Sequence, residues 1–500
     1  MELHEALQQL EALQKKMYAY NVAESAIFLD SVTVAPKNTA EGRGIALGIL
    51  AGESHKTFAN EEVGRLLAWL GEHKAELDFV VRRQVEELQR SYDKLSRIPA
   101  DEYMEYAMLT NEASDVWHRA KEESNFDLFC PVLEKLVAFN TKFAGYYDST
   151  KAPYDALLNE YERGVDMAYL DNFFSAIREK LVPLIQAVGQ AEQPDDSFLY
   201  QHYPSEDQRK FSDYLMEVLG LDRGHCTIGE TEHPFTLNFN NKDVRITTHY
   251  DENNLAGSMY SVIHEGGHAK YELGIDNKLQ YTCLAGGVSM GVHESQSRFY
   301  ENVIGRSLPF ILYIYPKMQE IFPKQLEGVT AEQFYRAVNK AQPSLIRTEA
   351  DELTYCLHVM VRYEIEKQLI GGTLAVKDVP AEWNRLYKEY LGVDVPDDKH
   401  GCLQDSHWSG GSFGYFPSYA LGSAYAAQMA KNMEGQFSVW GQVAVGDMSN
   451  VNNWLKLMVH QYGCLMEPAD VVRNACGDFD PSFYIRYLTK KYTRLYNLKK

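Results

Sequence analysis

The chain has 500 residues, long enough to bury a large core, and its 45% hydrophobic and 24% charged content is that of a soluble globular enzyme. Its 49 basic and 70 acidic residues give a formal net charge of −21, which argues against nucleic acid and anionic membranes as partners. The seven cysteines, Cys130, Cys226, Cys283, Cys356, Cys402, Cys464 and Cys476, are odd in number and lack paired spacing, so they read as reduced thiols of a cytoplasmic protein.

The N-terminal residues form an acidic amphipathic pattern, not a basic region followed by an apolar run, so no export signal is expected. Apolar residues recur at helical spacing, as at Leu7, Leu10 and Leu13, and predict helices near 2–19, 40–57, 60–95, 101–122, 127–147 and 166–189. The polar stretch 190–197 contains Pro194 and reads as a surface loop, not as a hinge between independent domains. Next, Phe235, Leu237 and Phe239 alternate with polar residues, Asn240-Asn241-Lys242-Asp243 supplies a turn, and Val244, Ile246 and Thr248 resume the alternation. That pattern predicts a β-hairpin, whose edge suits an extended peptide bound by strand addition.

His264-Glu265-Gly266-Gly267-His268 carries the strongest chemical signal. On a helix, residues four apart lie on one face, so both imidazoles can hold one cation, and Glu265 can act as general base on a water that the cation activates. Met259, Val262 and Ile263 form an apolar stripe, which makes this a core helix. Two helix-interior glycines cost ~1 kcal/mol each relative to alanine, which predicts a close approach by a substrate strand or a facing helix. A catalytic site of this type needs a third protein ligand. Glu294, after Gly286-Gly287 and at the start of another predicted helix, is the choice, with His293 the competing ligand. The apolar stretch 308–315 ends at Pro316 and is too short to span a membrane.

Further along, Arg347 lies beside Glu349, Asp351 and Glu352, any of which offers it an internal salt bridge. Asp351 or Glu301 can orient a ligand histidine through its second ring nitrogen. Gly410, Gly411 and Gly414 suggest a loop close to substrate, and His407, Tyr419 and, as the alternative, Tyr415 are candidate donors to an oxyanion. Arg245 and Arg347 carry guanidiniums of the kind that meets a carboxylate bidentately.

Six ordered motifs carry a family resemblance: His233-Pro234-Phe235, Asp243-Val244-Arg245-Ile246-Thr247, His264-Glu265-Gly266-Gly267-His268, His293-Glu294-Ser295-Gln296, Ile346-Arg347-Thr348-Glu349-Ala350-Asp351, and Gly401-Cys402-Leu403-Gln404-Asp405-Ser406-His407-Trp408. Together they resemble the carboxypeptidase Taq family of metallocarboxypeptidases. The resemblance implies a mainly α fold, laid out like neurolysin and angiotensin-converting enzyme, with a deep central groove and a small β-hairpin or sheet beside the zinc helix. It implies a homodimer that removes C-terminal residues from short peptides with broad specificity. It also implies one divalent ion per chain, Zn2+ or alternatively Co2+. The chain is expected to be a single helical unit over 1–500, with 1–200 as the wall or lid of the groove and 201–500 as the catalytic half. The expected site is His264, His268 and Glu294 for the metal, Glu265, His407 and Tyr419 for catalysis, and Arg245, Arg347 and Tyr415 for substrate.

Overall fold

The computed structural model describes residues 1–36 and 38–498. The fold is mainly helical, with one small three-stranded sheet. The opening helix Leu3–Thr33 runs well beyond the expected 2–19. The stretch expected as one helix over 60–95 is two, Glu61–Glu72 and Phe79–Arg97. Each has its own N-cap: Asn60 Oδ1 accepts from Val63 N–H at 3.0 Å, and Asp78 Oδ1 accepts from Val81 N–H at 2.9 Å. Asp78 is therefore the start signal that the periodicity overlooked. These first helices pack around a small cluster that includes Leu10, Leu13, Phe58, Leu67, Leu70 and Leu88. Gln14 ties them to the rest of the chain by accepting from Cys283 N–H at 2.9 Å.

Most of the remaining elements contribute to one large core. The helix Pro153–Tyr161 carries no periodic signal at its length of nine residues, and it starts on Pro153, whose fixed φ suits a first helical position. The apolar stretch 308–315 opens the helix Leu308–Ile321, which contains Pro316 in its interior where the sequence suggested a stop.

The expected hairpin is present as β2 (Thr236–Asn240) and β3 (Asp243–Thr248), antiparallel, with a register shift between Asn238 and Asn240. A third strand, β1 (Cys226–Glu230), pairs parallel to β3 and was not legible from alternation. The strand order β1-β3-β2 leaves β2 at an edge. Both β2 and β3 pack on the helix Leu255–Gly274, which carries His264, Glu265 and His268 and is buried on most sides. The helix Met290–Arg298 lies against it and continues into a π-helical turn, Phe299–Gly305. On the far side of Met290–Arg298 lies Pro417–Glu434, a helix rich in small residues: Ala420, Gly422, Ser423, Ala424, Ala426 and Ala427.

Candidate metal centre

Gly267 explains how Glu294 reaches the two imidazoles. A Cβ on Gly267 would stand 2.6 Å from the carbonyl oxygen of Gln296 and 2.7 Å from Cα of Ser297, so the two helix backbones touch here. Opposite, a Cβ on Gly422 would stand 2.6 Å from Cγ of Glu294. The glycine that the sequence assigned to a close approach thus faces a helix. Glu294 is pressed between two backbones that only glycine lets come so near.

The result is a compact donor set. Among the described residues, His264, His268 and Glu294 bring one ligand atom each within 4.8 Å of one another. Glu294 Oε2 lies 3.7 Å from His264 Nε2 and 3.5 Å from His268 Nε2. His293 points elsewhere and supports His268, with their Nδ1 atoms 2.5 Å apart. His293 Nε2 lies 2.7 Å from Glu272 Oε1, and Asn238 on β2 donates to Glu272 Oε2 at 2.6 Å. Read from the carboxylate inwards, His293 donates to Glu272 and accepts from His268, which leaves His268 Nε2 as a free lone pair. Glu301, not Asp351, does the equivalent for His264, with its Oε2 2.8 Å from Nδ1. Asp351 instead holds the turn ahead of the following helix, accepting from Leu353 N–H at 2.9 Å and Thr354 N–H at 3.0 Å.

These residues fit a divalent cation. Two imidazole nitrogens are aimed at one carboxylate oxygen, each ring is held by its other nitrogen, and three protein donors are the number a catalytic site requires. Burial pushes the His268 imidazole down to about 3, with His293 and His264 adding to the effect, so it is neutral and able to ligate. Burial alone would raise the Glu294 carboxyl, but Arg298, His264 and His268 outweigh it and hold it well below the usual carboxylate range. Arg298 Nε donates to Glu294 Oε1 at 2.6 Å, and its Nη1 lies 3.3 Å from Glu301 Oε2. That arginine sits four residues after Glu294, a pairing that helical spacing alone would have found.

Glu265 is buried beside the trio, and Thr236 on β2 donates to its Oε2 at 2.6 Å. Burial lifts its carboxyl above the ordinary range. His264 and Glu265 open on a cavity of about 820 Å3 that Tyr260, Arg298, Glu301 and Glu349 also line. A second cavity of about 520 Å3 lies on the His293 side, lined by Arg90, Lys94 and Tyr161 among others.

His407, Tyr415 and Tyr419 form one aromatic cluster. His407 Nε2 is 3.3 Å from Tyr419 OH, and the Tyr415 ring lies 5.4 Å from His407 and 5.2 Å from Tyr419. Burial, aided by Arg347 and Arg362, pushes His407 down to about 4, and burial raises the Tyr419 phenol, so both groups are neutral. Tyr355, which the sequence did not single out, joins this cluster to the metal ligands. The Arg298 guanidinium lies 4.4 Å over its ring, and the ring is 6.3 Å from that of Tyr419. The nearby glycines face residues from the N-terminal half: Gly411 (φ +74°) abuts Tyr106, and Gly414 (φ +92°) abuts the backbone of Leu157.

Arg347 is buried, and its partner is none of the three nearby acids. Its Nε and Nη2 donate to Asp405 at 3.0 and 2.8 Å, and its Nη1 donates to Tyr355 OH at 3.1 Å. Arg362 binds the same carboxylate through Nε at 2.8 Å, so two guanidiniums share one acid. Arg245 lies apart on β3, forked onto Asp243 at 2.9 Å and stacked on Phe239.

Glu162 is a buried acid outside the expected site. It accepts from Gly291 N–H at 2.8 Å, at the start of the helix that bears Glu294. Burial pushes its carboxyl up to about 7, against the pull of Ser289 and Gly291. The same group titrates near ~4.3 in an unfolded chain. The stability it contributes is therefore complete below that value and lost as pH rises through about 7. Relative to Glu162→Gln, the parent protein is therefore expected to lose melting temperature between about pH 4.5 and 7, with a shallower slope for the variant in a calorimetric series. An unaltered slope in the variant would count against this assignment.

A sequence model of the carboxypeptidase Taq (M32) metallopeptidase family matches residues 9–492. Carboxypeptidase 1 of Bacillus subtilis (strain 168) is 40% identical over 501 residues, covering 100% of both chains. Thermostable carboxypeptidase 1 of Thermus thermophilus is 35% identical over 486 residues, covering 93% of this chain and 94% of the relative. The crystal structure of the M32 carboxypeptidase from Deinococcus radiodurans R1 superposes with a TM-score of 0.96 at 34% identity, covering 99% of this chain and 100% of that one. With the donor set already assembled around His264, His268 and Glu294, this chain belongs to the carboxypeptidase Taq (M32) family and is a metallocarboxypeptidase.

Proposed function

We propose that the enzyme removes C-terminal residues stepwise from short peptides with broad side-chain tolerance, using one Zn2+ per chain, with Co2+ as the alternative. The observation that carries this reading is the convergence of two free imidazole nitrogens and a carboxylate oxygen next to a buried, threonine-bound Glu265. Two imidazoles and a carboxylate suit zinc, and cobalt accepts the same ligands. When bound, the cation supplies Lewis acidity, bringing a water to a pKa near ~7 and polarising the scissile carbonyl.

The chain's own groups supply the rest. Thr236 occupies one oxygen of Glu265 and leaves the other to take a proton from the attacking water and deliver it to the leaving amine. His407 and Tyr419 donate to the oxyanion, with Tyr415 as the substitute donor; their neutrality at pH 7 means that both retain a hydrogen to donate. The free edge of β2, adjacent to Glu265 through Thr236, aligns an extended peptide. Arg347 is the preferred partner of the terminal carboxylate, because two guanidiniums on the single acid Asp405 leave surplus positive charge. Arg245, already forked onto Asp243, is the second candidate. Residues 1–200 serve as the wall of the groove and 201–500 as the catalytic half. Support comes from the cavity beside His293, which Arg90, Lys94 and Tyr161 line from the first half. The proposal includes a cytoplasmic homodimer; free cysteines support the compartment, and the family resemblance supports the dimer.

Mass spectrometry of a digest tests the reaction. A short unblocked peptide should yield a ladder of successive C-terminal losses that a chelator abolishes. Its C-terminally amidated counterpart should stay intact. Cleavage of the amidated peptide would replace this reading with an endopeptidase on the same scaffold.

A further inference from the structure

The segment that carries His407 and Tyr415 has almost no regular structure, yet its chemistry requires fixed distances. A single buried side chain, Glu366, bonds to both ends of it. Its Oε1 accepts from Trp408 Nε1–H at 2.8 Å, and its Oε2 accepts from Gly414 N–H at 2.8 Å. Trp408 directly follows His407, and Gly414 directly precedes Tyr415. A third donor, Tyr154 O–H, reaches Oε2 at 2.9 Å from the helix Pro153–Tyr161. The backbone of that same helix abuts Gly414 at Leu157.

Glu366 stands on the helix Tyr355–Ile370. That helix begins at Tyr355, whose ring supports Arg298, the partner of Glu294. One helix therefore connects the ligand side of the site to the donor side. A carboxyl in an apolar core is costly to bury unless its bonds are needed. Here those bonds join three segments that are far apart in sequence.

We propose that Glu366 is a positioning residue for peptide hydrolysis: it acts through His407, fixing the irregular segment that bears it relative to the metal ligands, and through the contact of His407 with Tyr419 on the helix Pro417–Glu434, without touching substrate. This inference rests on the reading of His407 and Tyr419 as oxyanion donors.

Kinetics on a short unblocked peptide test it, with metal content and melting temperature measured on every variant. Glu366→Gln is expected to lower kcat about 10- to 100-fold, as small displacements of catalytic groups do, with KM within about twofold and metal content unchanged. Tyr154→Phe should lower the melting temperature and leave kcat within about threefold, because both bonds to the segment remain. In a Tyr419→Phe or His407→Ala background, Glu366→Gln should cost less than about threefold, since residues acting through one another are not additive. If Glu366→Gln is insoluble, Trp408→Phe removes one of the same bonds and carries the same cycle. Wild-type kcat in Glu366→Gln, or an equal loss in both backgrounds, overturns the proposal. Wild-type kcat in both Tyr419→Phe and His407→Ala would instead remove the donor reading, and this inference with it, a pattern distinct from a null result confined to Glu366.

Discussion

Glu265→Gln is expected to reduce turnover by about 10²- to 10⁴-fold while the protein still binds its cation and its peptide. Glutamine matches glutamate in size, and its amide oxygen can go on accepting the hydrogen bond from Thr236 that holds this side chain at 2.6 Å. What it lacks is the second carboxyl oxygen, the only part of the group able to take a proton from water. Burial raises the basicity of that oxygen in the native protein, which increases what the substitution removes. Atomic absorption on the purified variant, calorimetric titration of peptide and kcat at saturation separate the three properties. Turnover within tenfold of the parent, about 1.4 kcal/mol in barrier, would take Glu265 out of the base role.

The adjacent glycines should respond unequally to one methyl group. In Gly267→Ala the new Cβ would meet Gln296 O at 2.6 Å and Ser297 Cα at 2.7 Å, both of them backbone atoms that cannot rotate aside. Relief requires the helix Met290–Arg298 to move, and Glu294 moves with it. Such overpacking costs about 1–3 kcal/mol, and a displaced third ligand should weaken zinc at least ~10-fold in competition with a chromogenic chelator. In Gly266→Ala the Cβ would meet only Leu219 Cδ1 at 2.8 Å and Leu221 Cδ1 at 3.3 Å, the free ends of flexible side chains. That variant should keep zinc affinity within about threefold of the parent. Equal zinc affinities in the two variants would show that the helices can separate without disturbing the ligands.

The legible parts of the site were those governed by local periodicity. His264 and His268 lie one helical turn apart, so their shared face follows from spacing alone. The paired glycines declared a close approach, although not which element makes it. The hairpin followed from alternation, whereas β1 did not, because its register is set by a parallel partner distant in sequence. Arg347 shows the same limit: sequence proximity offered three acids, and folding supplied a fourth, Asp405, shared with Arg362. Gly411 and Gly414 signalled a special backbone correctly, but the atoms that crowd them belong to the N-terminal half. Glu301 and Asp351 were equally good candidates to orient a ligand histidine, because an α-helical projection cannot foresee the π-turn Phe299–Gly305.

That turn makes the local residue count matter. In a π-turn, position i stacks over i+5, and Glu301 meets Arg306, five residues later, at 3.2 Å. Excising one residue from 299–305 would favour an ordinary α-helix there, at the cost of whatever buried group is removed. The rotation it introduces would swing either Glu301 from His264 or Arg306 from Glu301, depending on which flank yields. The segment is thus intolerant of length change while tolerant of conservative exchange at its apolar positions, the reverse of what a surface loop allows.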